Sequence, residues 1–429
     1  MIPILAAGLV FAVSLYLILA DKMHRSIVAI AGAVVMVGVG KAMGFYSEEQ
    51  AVASVDFGTL GLLGGMMTLV ALLEPTGFFQ YLAVWAGRVS RGRPVRLLVL
   101  LGTVTTLLSM FLDNVTTVVL IAPVTILISE ILGLSATPLL VTEALLSNTG
   151  GVATLVGDPP NILIASAAGF SFNDFLTHTL PIVIVVWFVA LWLLLYLFRA
   201  ELARSPADAE AVLKLDPAQA LHDRKTARRT LIILGTAVVL FFFEEPLHLS
   251  SAFIALGAAA AALVWVRPPF NETLKRIEWS VLIFFAALFV MVGGLEATGV
   301  LHGLASLIAH AQGMPPALFG VVLMWGVAGL SAVVDNVPIT IALIPVIEDL
   351  GAAGLPILPL WWALALGAGF GGNGTIIGST ANLIVATLSE HTRTPISSTL
   401  WNRRGFPVMV ATCTVASILY VIAYPWLSR

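Results

Sequence analysis

Long apolar segments constrain this chain more than any other feature of its sequence. Eight of them are long enough to cross a bilayer, since a helical crossing needs about 20 mainly apolar residues. Of the 429 residues, 59% are hydrophobic and 10% are charged, which is too few charges to cover a soluble protein of this size. The sequence therefore predicts an all-α polytopic membrane protein. The predicted complete crossings are 2–20, 27–44, 57–74, 178–198, 229–247, 251–267, 279–296 and 405–427.

Four other apolar stretches are interrupted by polar residues. Residues 97–131 and 317–349 are each broken in the middle by Asp-Asn, and we interpret them as re-entrant hairpins. Residues 138–170 and 358–390 are each broken by a glycine-rich polar run, which indicates discontinuous crossings. The first segment of the chain has no basic n-region and no small-residue cleavage pattern, so it is interpreted as a retained crossing rather than a signal peptide.

The positive charges predict an orientation. If the hairpins enter and leave on the same side, 19 of the 21 Lys and Arg residues fall on one face, Lys22 and Arg25 among them, and only Lys41 and Arg429 fall on the other. Cytoplasmic loops carry an excess of Lys and Arg. The crowded face is therefore expected to be cytoplasmic, in the inner membrane, with both termini outside. Residues 199–228 are interpreted as a cytoplasmic linker.

The two halves of the sequence repeat each other at a nearly constant offset. Segments 56–57, 74–77 and 113–115 match 278–279, 296–299 and 335–337, each at an offset of 222. The run GGVATLVGDPPNILIA from Gly150 matches GGNGTIIGSTANLIVA from Gly371 at an offset of 221, with six of sixteen positions identical. These matches predict a first repeat at 1–198 and a second repeat at 229–429, joined by the linker.

Each predicted repeat holds five crossings, one of them discontinuous, plus one re-entrant hairpin. Because five is odd, the second copy enters the membrane from the opposite side, which makes an inverted-topology repeat. This arrangement is typical of secondary transporters whose site lies near the bilayer midplane. A duplicated scaffold without a transport role is the alternative, but it does not require broken helices at equivalent depths.

The interruptions are the expected site. Unpaired backbone in hydrocarbon costs several kcal/mol per group, so irregular chain at membrane depth must face protein or water. The hairpin tips at 112–117 and 334–340 and the helix breaks at 147–161 and 371–382 are therefore expected to converge on one polar chamber. Glycines in the breaks would let the backbone approach a ligand closely.

Ionisable residues at membrane depth are functional candidates by default. Asp113 and Asp335 lie at equivalent hairpin tips, whereas Glu143 and Asp158 have no acidic counterpart in the second repeat. These four acids are the candidates for carrying a coupling proton. The alternatives are helix capping for the two tip residues and a hydrogen bond to a neighbouring helix for Glu143. Glu74 and Glu296 lie at span ends, and helix-end capping explains them better than contact with substrate.

Several kinds of chemistry find no support in the sequence. The single cysteine, Cys413, excludes a disulfide framework and a cysteine cluster. The seven histidines show no metal-ligand spacing, and no phosphate-binding GxxxxGK[ST] motif is present. We therefore expect no metal centre, no cofactor, no nucleic-acid partner and no enzymatic activity. A separate ATPase partner stays open.

The phrases FLDNVTTVVLIAPV and SNTGGVATLVGDPPNILI resemble the ion transporter superfamily, in its ArsB/NhaD permease branch of arsenite-permease-like and P-protein-like members. The resemblance extends from about residue 25 to the end. It implies that the hairpin and unwound helix of each repeat form the substrate and ion site between a scaffold and a transport domain. Related dicarboxylate carriers have a Ser-Asn-Thr-like tip where this chain has Asp-Asn-Val, and acidic tips suit a neutral hydroxylated substrate or a cation.

The same resemblance implies a set of binding residues in each repeat. The first repeat would contribute Asp113, Asn114, Thr116 and Thr117 from its hairpin tip, and Asn148, Thr149, Gly150, Gly151, Thr154 and Asn161 from its helix break. The second would contribute Asp335, Asn336 and Thr340 from its tip, and Gly371, Gly372, Asn373, Thr375 and Asn382 from its break.

The leading hypothesis for function is export of arsenite or antimonite, as the neutral trivalent hydroxide, in exchange for protons. One cysteine cannot supply a three-thiolate arsenic site, so recognition would rest on hydrogen bonds. The alternatives are a Na⁺/H⁺ antiporter of the NhaD kind, an anion or dicarboxylate symporter, and a channel subunit that serves a separate ATPase. The resemblance is compatible with a monomer or a homodimer.

Overall fold

The computed structural model describes residues 2–20, 23–206, 208–300, 303 and 314–429, and throughout these residues the regular structure is helical. Lys22, which was counted on the basic face, lies outside the described residues. The all-α prediction is confirmed.

The first half begins with a pair of long helices and ends with a bundle built around the two interruptions. Its helices are α1 (Ile2–Leu19), α2 (Arg25–Met43), α3 (Glu48–Ala53), α4 (Phe57–Leu73), α5 (Phe78–Ser90), α6 (Pro94–Ser109), α7 (Asn114–Leu132), α8 (Thr137–Gly151), α9 (Pro159–Ala168), α10 (Phe172–His178) and α11 (Leu180–Leu197).

Three short helices of the linker separate the two halves, and the second half then follows the order of the first. The linker helices are α12 (Arg199–Leu202), α13 (Ala209–Lys214) and α14 (Pro217–Ala220). The second half contains α15 (Arg224–Phe242), α16 (Glu244–Leu247), α17 (Ser251–Val266), α18 (Phe270–Arg276), α19 (Trp279–Thr298), α20 (Pro316–Ser331), α21 (Asn336–Ala352), α22 (Leu358–Gly371), α23 (Thr380–Ser389) and α24 (Ser398–Leu427).

Six helices in the described part of the chain are long and apolar enough to cross a membrane by length and composition. They are Arg25–Met43, Phe57–Thr76, Asn114–Leu132, Leu180–Leu197, Trp279–Thr298 and Ser398–Leu427. The predicted crossings at 2–20, 229–247 and 251–267 are helical too, but they are shorter or carry several charges. Large apolar side chains point outward from the bundle, among them Val264 and Ile422, each 72% exposed. Such a surface is suited to lipid and not to water.

Two helix starts differ from the predicted crossings because side chains cap them earlier. The crossing predicted at 229–247 begins at Arg224, where Asp223 accepts hydrogen bonds from two backbone N–H groups of the first turn. The crossing predicted at 405–427 begins at Ser398, where the Ser397 side chain accepts from the N–H of Leu400. Capping of this kind favours the helix start even where the first turn is polar.

The sequence analysis missed helix α5, which it treated as a loop. Phe79, Ala83, Ala86 and Ser90 follow a helical spacing along this segment and are fully buried. The segment has 13 residues, fewer than the roughly 20 that a crossing needs, so it lacked the signal of a crossing. Its buried stripe packs against α6 and α7 and thereby supports the first hairpin.

Helices of the two halves pack in two groups. In the scaffold group, α2 packs on α1 and α19, and α17 packs in the equivalent way on α15 and α4. In the hairpin group, α6 packs on α8 and α20 packs on α22. The second segment of each broken helix crosses to the other half, with α9 against α21 and α22, and α23 against α7 and α8. The interruptions of both halves are brought together by this exchange.

The linker is packed against the first half along part of its length. The backbone N–H of His222 donates to the carbonyl of Thr76 at 2.8 Å, and Val212 is fully buried against the hairpin group. Gly77 has a φ of +81°, and a Cβ added there would lie 1.8 Å from the carbonyl oxygen of Ala220. The linker and the 74–77 turn therefore fit together only with glycine at position 77. The division of the chain at 198 and 229 stays a prediction.

Gly77→Ala is expected to destabilise the protein more than Gly299→Ala. The two positions are equivalent in the repeat, and both have a left-handed backbone, at φ +81° and +75°. Around Gly299 no described atom lies within 4 Å of an added Cβ, so that variant carries only the left-handed penalty of about 1–2 kcal/mol. Gly77→Ala carries the same penalty and must also displace the linker at Ala220. The measurement is the apparent Tm of each purified variant, and equal losses of Tm would show that the linker contact contributes nothing.

Candidate functional site

Each helix break is closed by an asparagine that replaces lost helix hydrogen bonds. Asn161 Nδ2 donates to the carbonyls of Gly151 and Thr154, at 3.1 and 2.8 Å. Asn382 makes the same pair of bonds in the second half, to Gly372 and Thr375, at 2.8 and 2.9 Å. Carbonyls at a helix end need such partners when water cannot reach them.

The breaks are also tied to the hairpin tips. The hydroxyl of Thr154 donates to the carbonyl of Met110, and that of Thr375 donates to the carbonyl of Ala332 at the equivalent place. The residue before Met110, Ser109, donates from Oγ to the carbonyl of Ser147 at 2.8 Å, and the residue before Ala332, Ser331, donates to that of Ala368 at 2.7 Å. Residues that match each other in the two repeats, at offsets of 222 in the hairpins and 221 in the breaks, thus make the same hydrogen bonds.

The glycines of the breaks pack backbone against backbone. A Cβ on Gly150 would lie 2.8 Å from the carbonyl oxygen of Thr106, and one on Gly371 would lie 2.5 Å from Cα of Ala328. Gly151 and Gly372 meet the carbonyls of Gly157 and Gly378 in the same way. Gly150 and Gly371 therefore let the hairpin and the broken helix approach each other, and Gly151 and Gly372 let the chain on the two sides of each break approach closely. Direct contact of a glycine with a ligand stays a prediction.

Asn148 connects the two halves through buried amides. Its Nδ2 donates to Oδ1 of Asn373 at 2.9 Å and of Asn382 at 3.0 Å. Its Oδ1 accepts from Asn114 Nδ2 and from Ser379 Oγ, both at 3.0 Å. All four partners are buried, and three of them belong to the second half. The amide layer, as we call these five residues, therefore holds the two breaks and the first tip in one arrangement.

A small cavity lies on the amide layer, between the hairpin tips and the starts of α2 and α19. About 40 Å³ of it is open to the centre of a water molecule, which is room for about three waters. Four of its side chains are carboxylates and one is a guanidinium. The charged lining residues are Asp113, Asp158, Glu278, Asp335 and Arg25, and the tip amides Asn114 and Asn336 lie among them.

The two tip carboxylates have different partners. Asp113 caps α7 by accepting from the N–H of Thr116 at 2.9 Å, and it also accepts from the Thr116 hydroxyl. Asp335 caps α21 by accepting from the N–H of Val337 at 3.2 Å. The capping alternative is therefore realised at both tips, and each carboxylate still lines the cavity.

Asp335 forms an ion pair, and Asp113 forms none with the residues that the structure describes. Arg25 Nη1 lies 3.2 Å from Asp335 Oδ2 and donates to the Thr380 hydroxyl at 2.7 Å. The Thr380 hydroxyl donates in turn to Asp335 at 3.1 Å, and the Arg25 guanidinium lies over the ring of Phe284. The sequence analysis counted Arg25 as a loop charge, and this was wrong. Arg25 is the first residue of α2 and reaches into the cavity.

The two acids without an acidic counterpart lie in different places. Asp158 is 1% exposed, lines the cavity and accepts from Asn336 Nδ2 at 3.1 Å. Glu143 is fully buried between α7 and α8, where it accepts from the Thr125 hydroxyl at 2.5 Å. Its other carboxylate oxygen has no hydrogen-bond partner in the described structure. Asp158 therefore joins the cluster, whereas Glu143 matches the alternative of a bond to a neighbouring helix.

Three of the predicted threonines point away from the cavity. Thr117 is fully buried within the hairpin, and Thr149 and Thr340 donate to backbone carbonyls of their own helices. Thr116 lies beside Asp113 and is not among the residues that line this cavity. Among the described residues, no group of three or more His, Cys, Asp or Glu side chains could hold a metal ion.

Sequence reasoning missed Arg25, Glu278, Ser379 and Thr380 as parts of the site. Arg25 and Glu278 precede apolar crossings and looked like ordinary boundary charges. The repeat carried a signal for Glu278, because it aligns with Asp56. Ser379 and Thr380 lie inside the glycine-rich run, and the matched position for Ser379 is Asp158.

The citrate transporter family profile (CitMHS) matches residues 15–367 of this chain. The chain belongs to this family. It is 40% identical over 423 residues to the "46 kDa membrane protein" of Mycobacterium leprae, with 97% of each chain covered. It is 34% identical to the P protein of Mus musculus, where the match covers 95% of this chain and 59% of that protein. The family assignment makes the protein a membrane transporter.

A solved structure shares the fold. The Alcanivorax borkumensis YdaH transporter matches with a TM-score of 0.62 at 15% identity, covering 94% of this chain and 99% of that one. The predicted fold class, with two inverted repeats that each carry a hairpin and a discontinuous helix, is confirmed. The P protein match bears out that part of the resemblance, and the family shown is the citrate transporter family.

Asn148→Ala is expected to lower the apparent Tm by several degrees, because it leaves four buried partners without their hydrogen bonds. The matched control is Thr142→Val in the same helix. The Thr142 hydroxyl is buried and has no hydrogen-bond partner among the described residues, so its loss should be neutral or stabilising. Equal Tm values for Asn148→Ala and the wild type would contradict a structural role for the amide layer.

Proposed function

We propose that the protein exports arsenite or antimonite, as the neutral trivalent hydroxide, in exchange for protons. The observation that carries the proposal is the charge of the cavity, where four carboxylates surround one guanidinium. The membrane would be the inner membrane, with both termini outside. An ATPase of the ArsA kind would be an optional partner.

The charges of the cavity favour a neutral or cationic substrate over a free anion. Arg25 is the cation that lines the cavity, and it is already paired with Asp335. Coulomb repulsion between an entering anion and the remaining carboxylates is strong at the low effective dielectric constant of a protein interior. Arsenite near neutral pH is mainly uncharged, so it avoids this repulsion.

The hydrogen-bonding groups suit a small triol. Carboxylates accept from hydroxyl donors, and amide N–H groups donate to hydroxyl oxygens. Asn114 and Asn336 bring one amide from each half to the same cavity, next to Asp113, Asp158 and Asp335. The volume of about 40 Å³ holds about three water molecules, and a metalloid trihydroxide is of similar size.

Proton coupling would follow from competition at the carboxylates. An ionised acid offers both of its oxygens as acceptors to substrate hydroxyls, whereas a protonated acid loses part of this capacity and becomes a donor, so protonation and binding of the triol oppose each other at that group. Asp113, Asp158 and Asp335 are the candidates within the cavity. Glu143 lies apart from the cavity lining, which makes it the weakest of the four.

Two other substrates have specific support. The family description names citrate, but a citrate trianion would meet the same carboxylates, so it would have to enter as a complex with a cation. The negative charge of the lining carboxylates would attract a cation, which supports Na⁺ as the substrate of a Na⁺/H⁺ antiporter of the NhaD kind. Both alternatives predict a different ion dependence from arsenite export.

Transport in reconstituted vesicles separates these substrates. We would measure the flux of arsenite, of Na⁺, of citrate alone and of citrate with Mg²⁺, each with and without an imposed pH gradient. The proposal predicts arsenite flux that follows the pH gradient and needs no Na⁺. Gradient-driven Na⁺ or Mg²⁺-citrate flux without arsenite flux would replace the proposal with the corresponding alternative.

The double variant Asp113→Asn/Asp335→Asn is expected to lose pH-dependent arsenite flux by at least about tenfold, because both amides are uncharged and cannot carry a proton. The matched control is Asp216→Asn, where the aspartate caps a short linker helix outside the cavity. Retention of pH-dependent flux in the double variant, at wild-type levels of folded protein, would remove the tip acids from the coupling mechanism.

A further inference from the structure

A second cavity adjoins the first, beside Lys275 and Arg276. The two share Met67 and Glu278, and about 330 Å³ of the second is open to the centre of a water molecule. We call this second cavity the vestibule. Its wall includes Lys275 and Arg276, which belong to the positive charges predicted to lie on the cytoplasmic face. Water in the vestibule therefore reaches Glu278 on one side, and the tip cavity lies on the other.

Thr116 lies between two carboxylates. Its hydroxyl contacts Oδ2 of Asp113 and lies 3.5 Å from Oε1 of Glu278. A hydroxyl has one hydrogen and two lone pairs, so it can donate to one carboxylate while it accepts from the other carboxyl group when that group is protonated. Asp113, Thr116 and Glu278 thus form a continuous line from the tip cavity to the vestibule. The longer contact needs to shorten by a few tenths of an ångström for transfer.

The second half has no equivalent line. Pro338 occupies the position that matches Thr116, so no hydroxyl stands beside Asp335 at that place. Asp56, which matches Glu278, accepts from the N–H groups of Gly58 and Thr59 and from the Thr59 hydroxyl at the start of its own helix. Asp335 instead has the Arg25 ion pair. The two tips therefore differ although the backbone repeats.

We propose that Asp113 carries the coupling proton and that Glu278, through Thr116, is the positioning residue that passes it to and from the vestibule. Asp335, held by Arg25, stays available to the substrate. This inference rests on the proposed proton coupling. It adds the route of the proton, and it assigns proton transfer to the first hairpin tip and substrate binding to the second.

The transfer balances without any other reactant. When the cavity faces the vestibule, protonated Asp113 gives its hydrogen to the Thr116 oxygen while the Thr116 hydrogen passes to Glu278. Asp113 then carries the negative charge and Glu278 is the neutral acid, which releases one proton to vestibule water. Thr116 ends as it began, and the reverse sequence protonates Asp113.

Other charges face this line and bias the transfer. Arg25 and Asp158 face it from the tip cavity, and Glu74, Lys275 and Arg276 face it from the vestibule, where Arg276 Nη1 lies 3.4 Å from Glu74 Oε1. Asp335 faces it from the opposite tip, neutralised by Arg25. The acids and bases around the line are thus mostly paired.

The test separates proton coupling from substrate binding in reconstituted vesicles. Glu278→Gln and Thr116→Val are expected to reduce pH-gradient-driven arsenite flux by at least about tenfold. Arsenite exchange at equal pH, which needs no net proton movement, should fall much less. Thr116→Ser keeps the hydroxyl and should restore gradient-driven flux. Asp56→Asn is the matched control at the equivalent position of the other half and should behave as the wild type in both assays.

Two outcomes overturn the inference. One is wild-type gradient-driven flux in Glu278→Gln or Thr116→Val, and the other is an equal loss of exchange and gradient-driven flux, which would indicate a merely structural role. If the wild type carries Na⁺ or Mg²⁺-citrate instead of arsenite, the same comparison is made with that substrate.

A measurement without substrate tests the proton transfer from Asp113 through Thr116 to Glu278, which we call the relay, even if the proposed function fails. The infrared band of the protonated Asp113 carboxyl group is identified as the band that is absent in Asp113→Asn. The decay of this band is then followed after a light-triggered rise in pH. The relay predicts deprotonation at least about tenfold slower in Thr116→Val than in the wild type or Thr116→Ser. Equal rates in all three proteins would refute it.

Discussion

The need to satisfy backbone hydrogen bonds away from water governs the centre of this protein. Broken helices expose carbonyls and N–H groups, and in an apolar surrounding each unpaired group costs several kcal/mol. Asn161 and Asn382 close the two breaks, and Thr154 and Thr375 tie them to the hairpin tips. Asn148 then joins both breaks in one amide layer. Most polar residues of the breaks therefore stabilise the broken helices through hydrogen bonds. The cavity forms next to them, where the hairpin-tip carboxylates and amides meet.

The repeat supplies a symmetric frame, and a few substitutions make its chemistry asymmetric. Asp158 stands where the second half has Ser379, and it accepts from Asn336 of the opposite half. Position 369, which matches Asn148, is glycine, and the Val152 side chain occupies the space beside it. Arg25 neutralises one tip and Thr116 connects the other to Glu278. An alternating-access cycle needs two similar backbone arrangements, whereas coupling needs groups that respond differently to protons and substrate.

Much of the fold could be predicted because apolar run length and the 222-residue offset are read directly from the sequence. The interruptions were located by their Asp-Asn and glycine-rich runs. Helix α5 was missed because its 13 residues are too few for a crossing and only one of its faces is buried. Arg25 and Glu278 were missed for a different reason. The sequence around a charged residue at the end of a crossing is the same whether its side chain faces water or a cavity. Only tertiary packing decides where a long side chain at a helix start reaches.

The central claim is that chain from both halves meets in one chamber. The short side chains of Asp158 and Asn336 are 3.1 Å apart across the halves, so Asp158→Cys/Asn336→Cys in a Cys413→Ala background tests it directly. A protease site is placed in the linker, and the protein is treated with a mercuric ion or a short bifunctional thiol reagent before cleavage. We predict that the paired variant stays one species on a denaturing gel, while each single-cysteine variant separates into two halves. Separation of the paired variant, with both thiols shown to react, would contradict the convergence of the halves.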